Sequence, residues 1–387
     1  MTKFITALAF LFTFFVITVP SFAAEPAFFS RLSAKQIYVK DLQSGQVLYS
    51  KDAERRMPTS SMSKVMTAYM VFDALKKGEV SLNDEFSVSE KAWRKGGSKM
   101  FVEVGKKVAV EDLLKGVIVQ SGNDATIVLA EGLAGAETVF ARKMTAKAHE
   151  IGMDNSNFMN ASGWPDPNHY STAEDLGILA EHIITEFPEY YGFYSIQSFE
   201  YNGIKQRNRN PLLFRDDLRV DGIKTGHTEV GGYGLMASGV APDNAERRVV
   251  VVMNGMKSEQ ARAQETGRVM AWALNNFENK LLVKKNQTVK DVRVVYGRQD
   301  TVAATVNSDL MVTLPYLDKD MVKIEVVTKE PMQAPVKKGD QIGELRVITP
   351  ELEPMSYPLY AAADVKKANI VSRFFESLSY KIFGAPK

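Results

Sequence analysis

Between Met57 and Met70 the chain reads Met-Pro-Thr-Ser-Ser-Met-Ser-Lys-Val-Met-Thr-Ala-Tyr-Met, and this stretch constrains the fold more than any other. From Met62 to Leu75 the residues are apolar almost all the way round a helix, with Gly78 just past the end as a stop signal. The pattern predicts a helix buried in a core. Its start carries Ser61 and, three residues on, Lys64. Residues i and i+3 share a helical face, so the lysine lies one turn below the hydroxyl, where a neutral amine could take its proton. A Ser-x-x-Lys by itself is more often a capping serine and a solvent-seeking lysine. The rest of the chain has to decide.

At 387 residues the chain is longer than one core usually organises, which predicts two domains. Residues 1–23 read as a cleaved secretory signal: Lys3, an apolar run from Phe4 to Val19, then Pro20-Ser21-Phe22-Ala23 with small residues where a signal peptidase reads. An uncleaved membrane helix is the alternative, for which the run is short. The whole chain carries a formal charge of +2, and the signal removes one lysine and no acid, leaving about +1. Nucleic acid is therefore not an implied partner. The chain has no cysteine, which excludes disulfides, thiolate metal sites and a cysteine nucleophile.

After the signal, Gln36–Asp41 and Gln46–Ser50 read as a hairpin that leads into the Ser61 helix. Val110–Val119, Asp124–Leu133 and Glu137–Ile151 have helical spacing. Ser171-Thr172-Ala173-Glu174 reads as a capping box opening a helix to about Thr185. Beyond Val220 come the strands Val220–Gly226, Tyr233–Val240 and Arg248–Met253, joined by short turns, and then a helix over roughly Glu265 to Asn279. Helices packed on an antiparallel sheet whose strands come from both ends of the segment make an α+β domain, residues 24–283. From 284 to 365 every periodic run is short and β-like, which predicts a small all-β domain. In residues 366–387, Ile370, Val371, Phe374, Phe375, Leu378, Ile382 and Phe383 line one side of a helix whose flanks are basic, five positive charges to one negative. Such a helix suits an anionic membrane surface; a helix docked on the β domain is the alternative.

Three short motifs occur once each and in this order: Ser61-x-x-Lys64, Ser121-Gly122-Asn123 and Lys224-Thr225-Gly226. Together, at a helix start, an inter-helix loop and an edge strand, they resemble the active-site triplet of the penicillin-recognising serine acyltransferases. With a β domain and an amphipathic tail following in that order, nearly the whole mature chain is similar to low-molecular-mass D-alanyl-D-alanine carboxypeptidases of the DacA type. The resemblance implies a β-lactamase/transpeptidase-like catalytic domain. It also implies cleavage of the terminal D-alanine from peptidoglycan stem pentapeptides through an acyl-enzyme, with β-lactams as covalent inhibitors and no cofactor.

Each motif has a physical role in such a reaction. Ser61 is the nucleophile at a helix N-terminus. Lys64 must be neutral to act as base, which calls for burial and a second cation such as Lys224. Ser121 can relay a proton to the leaving amine, and the Asn123 amide can hold the substrate's peptide carbonyl. Lys224 and Thr225 offer a charge and a hydroxyl to a substrate carboxylate, while Gly226 lets the substrate pair with the strand. By resemblance, the oxyanion hole is the backbone N–H of Ser61 and of His227, and Arg262 helps to hold the terminal carboxylate. His149, His169 and His182 lack a serine elbow and read as non-catalytic. No His/Asp/Glu spacing suggests a metal.

The Glu-x-x-Leu-Asn segment with which class A β-lactamases activate water is missing, which argues against that enzyme. DD-endopeptidase or β-lactamase activity at the same site, or a silent penicillin-recognising scaffold, are the competing readings.

Overall fold

A computed structural model describes residues 27–317, 322–349, 352 and 354–383; the expected signal segment lies outside them. Strands β1 (Gln36–Asp41) and β2 (Val47–Lys51) form the expected hairpin. A 3-10 turn, Ser60–Ser63, runs directly into α1 (Lys64–Lys76). A small ribbon of β3 (Glu85–Ser87) and β4 (Lys107–Ala109) flanks α2 (Glu90–Arg94). Helices α3 (Val110–Ile118), α4 (Asn123–Ala134) and α5 (Glu137–Glu150) follow, and after a long loop α6 (Ala173–Glu186) and α7 (Pro188–Tyr191). The hairpin of β5 (Ser198–Tyr201) and β6 (Ile204–Arg207) precedes β7 (Val220–Thr228), β8 (Gly232–Val240) and β9 (Arg248–Met256). These last three complete a five-stranded antiparallel sheet in the order β2-β1-β9-β8-β7, with β7 at its edge.

The uninterrupted apolar run Val249–Met253 has a simple cause. Strand β9 is central and both faces of the sheet are covered. Val250 and Val252 pack into the helical layer with Val65, Phe72 and Leu176; Val249, Val251 and Met253 pack against Val269, Met270 and Ala273 of α8 (Glu259–Asn275) on the other face. Helix α1 sits deep in the first layer, with ten of its thirteen residues buried, as its all-round apolarity predicts.

Three local readings differ. The cap of α6 is Thr172, whose hydroxyl accepts from the Asp175 N–H. The Ser171 hydroxyl instead pairs with Ser156, and Asp175 accepts from Ser156 and from the Asn155 N–H, so the polar cluster ties the long loop to the helix. Helix α8 starts six residues earlier than its apolar stripe suggests, because Ser258 caps it by accepting from the Ala261 N–H. It also ends at Asn275: residues 277–283 leave the helix to form β10 (Phe277–Val283), which pairs with β13 (Leu310–Pro315) of the β domain.

That domain contains β11 (Thr288–Val295), β12 (Thr301–Thr305), β14 (Lys323–Thr328), β15 (Met332–Gln333), β16 (Gln341–Ile348) and β17 (Met355–Ala361), around a separate core of Val292, Leu345 and Leu359 among others. Helix α9 (Ile370–Phe383) meets it through polar groups, the Glu376 carboxylate accepting from the Tyr296 N–H and the Tyr380 hydroxyl. Its apolar residues stay exposed, Ile370 81% and Phe374 64%, although these two also line a cavity with Tyr296, Gln333 and Ala334 of the β domain. Among the described residues no helix is long and apolar enough to cross a membrane.

Candidate active site

The site forms where the start of α1, the start of α4 and edge strand β7 meet. Ser61 lies in the 3-10 turn, on the wall of a cavity of about 740 Å3 that Asn123, Gly163, Trp164 and His227 also line. Two non-glycine residues beside the motifs hold left-handed backbone conformations, Ser60 (φ 50°) and Ser121 (φ 58°). Strain of this kind persists only where packing over-determines it, and it gathers at functional sites.

Lys64 is 1% exposed. Its Nζ lies 2.9 Å from Ser61 Oγ, 2.8 Å from Asn123 Oδ1 and 2.7 Å from the Ser162 carbonyl oxygen. Asn123 Oδ1 and the Ser162 carbonyl can only accept. A neutral amine has two N–H groups and one lone pair, so with those acceptors served the lone pair faces the Ser61 hydroxyl. The Lys64 amine is pushed down to about 7, by burial first and then by the charges of Arg209 and, less, Lys95, while Asp124 pulls the other way. Besides Lys224, the second cation expected from sequence, the fold brings Arg209 to bear on Lys64. Lys224, 2% exposed, is itself held well below its ordinary value by burial, then by Lys64, Arg209 and Arg262.

Asn123 is held at both ends of its amide. Its oxygen is taken by Lys64, and its Nδ2 donates 2.8 Å to the Gly96 carbonyl, leaving one N–H for a ligand. The neighbouring Asp124, fully buried, accepts from the N–H groups of Met100, Phe101 and Val102 and so folds the 96–102 loop over the motif. Ser121 is 1% exposed and Thr225 4%. Lys224 Nζ donates to the Thr225 carbonyl at 3.2 Å.

Gly226 has a packing reason of its own: a Cβ there would lie 2.8 Å from the Thr59 carbonyl oxygen and 3.2 Å from Ser60 Cβ, so glycine lets β7 close on the nucleophile turn. The His227 ring is exposed and stacks on Tyr233, centroids 3.9 Å apart. Arg262, 5% exposed on α8, pairs with Glu259 at 2.8 Å and stands 5.6 Å from the centroid of the same Tyr233 ring.

Several contributors were not legible in sequence. Arg209, tied to Ser98 Oγ at 2.5 Å, sits in no motif. The Ser162 carbonyl is backbone and leaves no residue signature. Gly163 (φ +77°) packs so closely that a Cβ would fall 1.7 Å from the Ser60 carbonyl oxygen; a lone glycine in a loop was the one available hint. His169, read as non-catalytic, lies behind the nucleophile. Its Nδ1 accepts from the Met159 N–H at 3.2 Å, so Nε2 carries the proton and donates to Ser63 Oγ at 2.8 Å. Burial pushes this imidazole down to about 4, with Lys64 adding to the shift against Asp166.

A serine hydroxyl facing a depressed, fully buried lysine under a sheet edge is an arrangement suited to serine acyl transfer, here in an α+β domain followed by an all-β one. The chain belongs to the D-alanyl-D-alanine carboxypeptidase family: residues 21–257 match that family's model, and residues 277–367 match that of the penicillin-binding protein 5 C-terminal domain. It is 36% identical over 354 residues to D-alanyl-D-alanine carboxypeptidase DacA of Haemophilus influenzae, covering 89% of each chain. A crystal structure of penicillin binding protein 5 from Haemophilus influenzae superposes with a TM-score of 0.77 at 35% identity, over 87% of this chain and 98% of that one. Penicillin-binding protein D2 from Listeria monocytogenes in its ampicillin-bound form has a TM-score of 0.57 at 28% identity, over 62% of this chain and 97% of that one.

Proposed function

We propose that this chain is a serine D-alanyl-D-alanine carboxypeptidase that removes the last D-alanine from peptidoglycan stem pentapeptides. The observation that carries the reading is the Lys64 amine, about 7 and aimed at Ser61 Oγ. Ser61 Oγ attacks the carbonyl carbon between the two D-alanines while Lys64 takes its proton. The backbone N–H groups of Ser61 and His227 hold the oxyanion. The C–N bond breaks, the departing nitrogen receives a proton through Ser121, and water then cleaves the ester to restore Ser61.

The remaining Asn123 N–H holds the substrate's peptide carbonyl. Thr225, Arg262 and Lys224 receive the terminal carboxylate, whose charge favours the protonated form of Lys224. Gly226 keeps β7 against the turn. β-Lactams acylate the same Ser61, a reading supported by the likeness to a relative in its ampicillin-bound form.

The place of work is the periplasm, with the chain resting on the outer face of the inner membrane through α9. Support for this comes from the exposed apolar face of that helix, beside Lys366, Lys367, Arg373 and Lys381. Liposome sedimentation checks it: loss of residues 366–387 should abolish binding, and unchanged binding would refute the anchor.

The reaction is tested by adding a fluorescent penicillin and, separately, diacetyl-Lys-D-Ala-D-Ala to the protein and to Ser61→Ala. Labelling at Ser61 and release of D-alanine, both absent from the variant, are expected. Labelling without release would transfer the site to an endopeptidase or a silent penicillin-recognising protein.

A further inference from the structure

Residues 55–58, which lead into the nucleophile turn, wall a separate cavity of about 320 Å3 together with Lys35, Gln36 and Asn254. Val230 alone is common to it and to the cavity that holds Ser61. Three cations line it, Lys35, Arg55 and Arg56, and no acidic residue does so among the described residues. Lys35 and Arg55 make no ion pair among those residues. Arg56 is fixed without one, its guanidinium 4.5 Å from the centroid of the Tyr170 ring and 3.4 Å from Asn155 Oδ1. Like charges gathered without a counter-charge favour a bound anion.

Two carboxamides line the same cavity. Gln36 and Asn254 stand opposite one another where β1 pairs with β9, so their side chains leave the same face of the sheet. Gln36 is 5% exposed and Asn254 3%. The Gln36 amide makes no hydrogen bond among the described residues, and Asn254 Nδ2 reaches the Pro58 carbonyl only at 3.5 Å. Buried amides are nearly always bonded, so this pair, left open beside three cations, points to a ligand. Water would satisfy the amides and leave the charge without a counter-ion. The wall is set in advance: Met57 and Ser171 exchange backbone hydrogen bonds at 2.8 and 3.2 Å, which spares a ligand the entropy of ordering that segment.

We propose that this cavity binds a carboxylate with an amide next to it, the chemistry of an N-acylated amino acid. The cations meet the charge, and Gln36 and Asn254 meet the N–H and C=O of the amide. Such a group has two sources, a residue farther along the substrate chain or a separate molecule. The site is distinct from the place of the terminal carboxylate, since Lys224, Thr225 and Arg262 do not line it.

The test is saturation-transfer NMR on the full chain with N-acetylglycine, acetate and N-methylacetamide, with circular dichroism to establish that each variant is folded. N-acetylglycine should bind about tenfold tighter than acetate, the worth of roughly two hydrogen bonds to the amide. Binding should be lost when Lys35→Gln and Arg55→Gln are combined, fall to the level of acetate in Gln36→Leu, and persist in Arg262→Ala. No binding, equal binding of acetate, or loss in Arg262→Ala alone would overturn the site. The sources are told apart with D-Ala-D-Ala peptides extended by one N-acetylated residue that bears either a free carboxylate or its carboxamide. A roughly tenfold higher kcat/KM for the carboxylate form, absent from the Lys35→Gln, Arg55→Gln protein, would place the ligand on the substrate. Equal rates, with N-acetylglycine still bound, would place it on a separate molecule. The binding measurement needs no turnover, so it stands or falls apart from the carboxypeptidase reading, which fails if neither peptide releases D-alanine.

Discussion

Lys64 Nζ and Ser61 Oγ stand 2.9 Å apart, with Asn123 Oδ1 and the Ser162 carbonyl occupying the amine's other two positions. A charged Lys64 has no lone pair to offer, so acylation requires the neutral form. With that amine lowered to about 7, the rate of Ser61 acylation by penicillin should climb with pH through about 7 and level off above it. Lys64→Arg, which stays charged at every accessible pH, should lower the rate by at least ~1000-fold. A flat profile between pH 5 and 9 would remove Lys64 as the base.

Arg209 and Arg262 are expected to separate in kinetics. Arg209 lowers Lys64 directly, and Arg262 acts on Lys224. Arg209→Ala should therefore move the acid limb of the acylation profile to higher pH. Arg262→Ala should leave that limb in place and raise KM for a free-carboxylate peptide by ~10- to 100-fold, the loss of one charged hydrogen bond. An equal effect of Arg262→Ala on a neutral ester would take Arg262 away from the carboxylate.

Gly163→Ala should cost at least ~100-fold in acylation rate, because the added Cβ would strike the Ser60 carbonyl and displace the nucleophile turn. The readout is stopped-flow acylation, with circular dichroism to establish that the variant is folded.

His169→Gln and His169→Leu should behave differently. The glutamine side chain can still accept from the Met159 N–H and donate to Ser63. Leucine removes both bonds: Ser63 keeps the Thr59 hydroxyl at 2.6 Å, while the Met159 N–H loses its acceptor, at about 1–3 kcal/mol. Thermal unfolding should show the leucine variant clearly less stable than the glutamine one. The folded-state value of this imidazole, about 4, lies below its ordinary 6.5, so its contribution to stability is fully present above pH 6.5 and is lost as the pH falls towards 4. In both variants that part of the pH dependence should disappear.

Arg247 is almost wholly buried, its Nε 2.8 Å from Asp41 Oδ2 and its Nη atoms on the carbonyls of Ala273 and Leu274. Asp41 also accepts from Asn279 of β10, so the pair joins sheet, α8 and the β domain. Arg247→Met removes the opposite charge from a fully buried carboxylate, at about 3–5 kcal/mol, and should lower the Tm by roughly 6–20 °C. Adding Asp41→Asn should recover part of the loss; no recovery would mean that the ion pair is not what the first change broke.

The order of elements, the buried helix at Ser61 and the three motifs were legible because each is local. Helical and strand periodicities repeat within a few residues, and an i, i+3 spacing places Ser61 over Lys64 without any tertiary information. The early start of α8 at its Ser258 cap was local too, but the apolar stripe, which begins later, masked it.

The pairing of β10 with β13 was decided by a partner strand some thirty residues on, and nothing inside residues 277–283 announces it. The same holds for the chemistry. Sequence named Ser61 and Lys64, but a lysine's proton affinity depends on desolvation and on charges that the fold brings together. Arg209, the Ser162 carbonyl, Asp124 and His169 reach the motif from separate loops and helices. Residue identity follows from the sequence alone, whereas the state in which Lys64 can serve as a base exists only once those segments have closed around it.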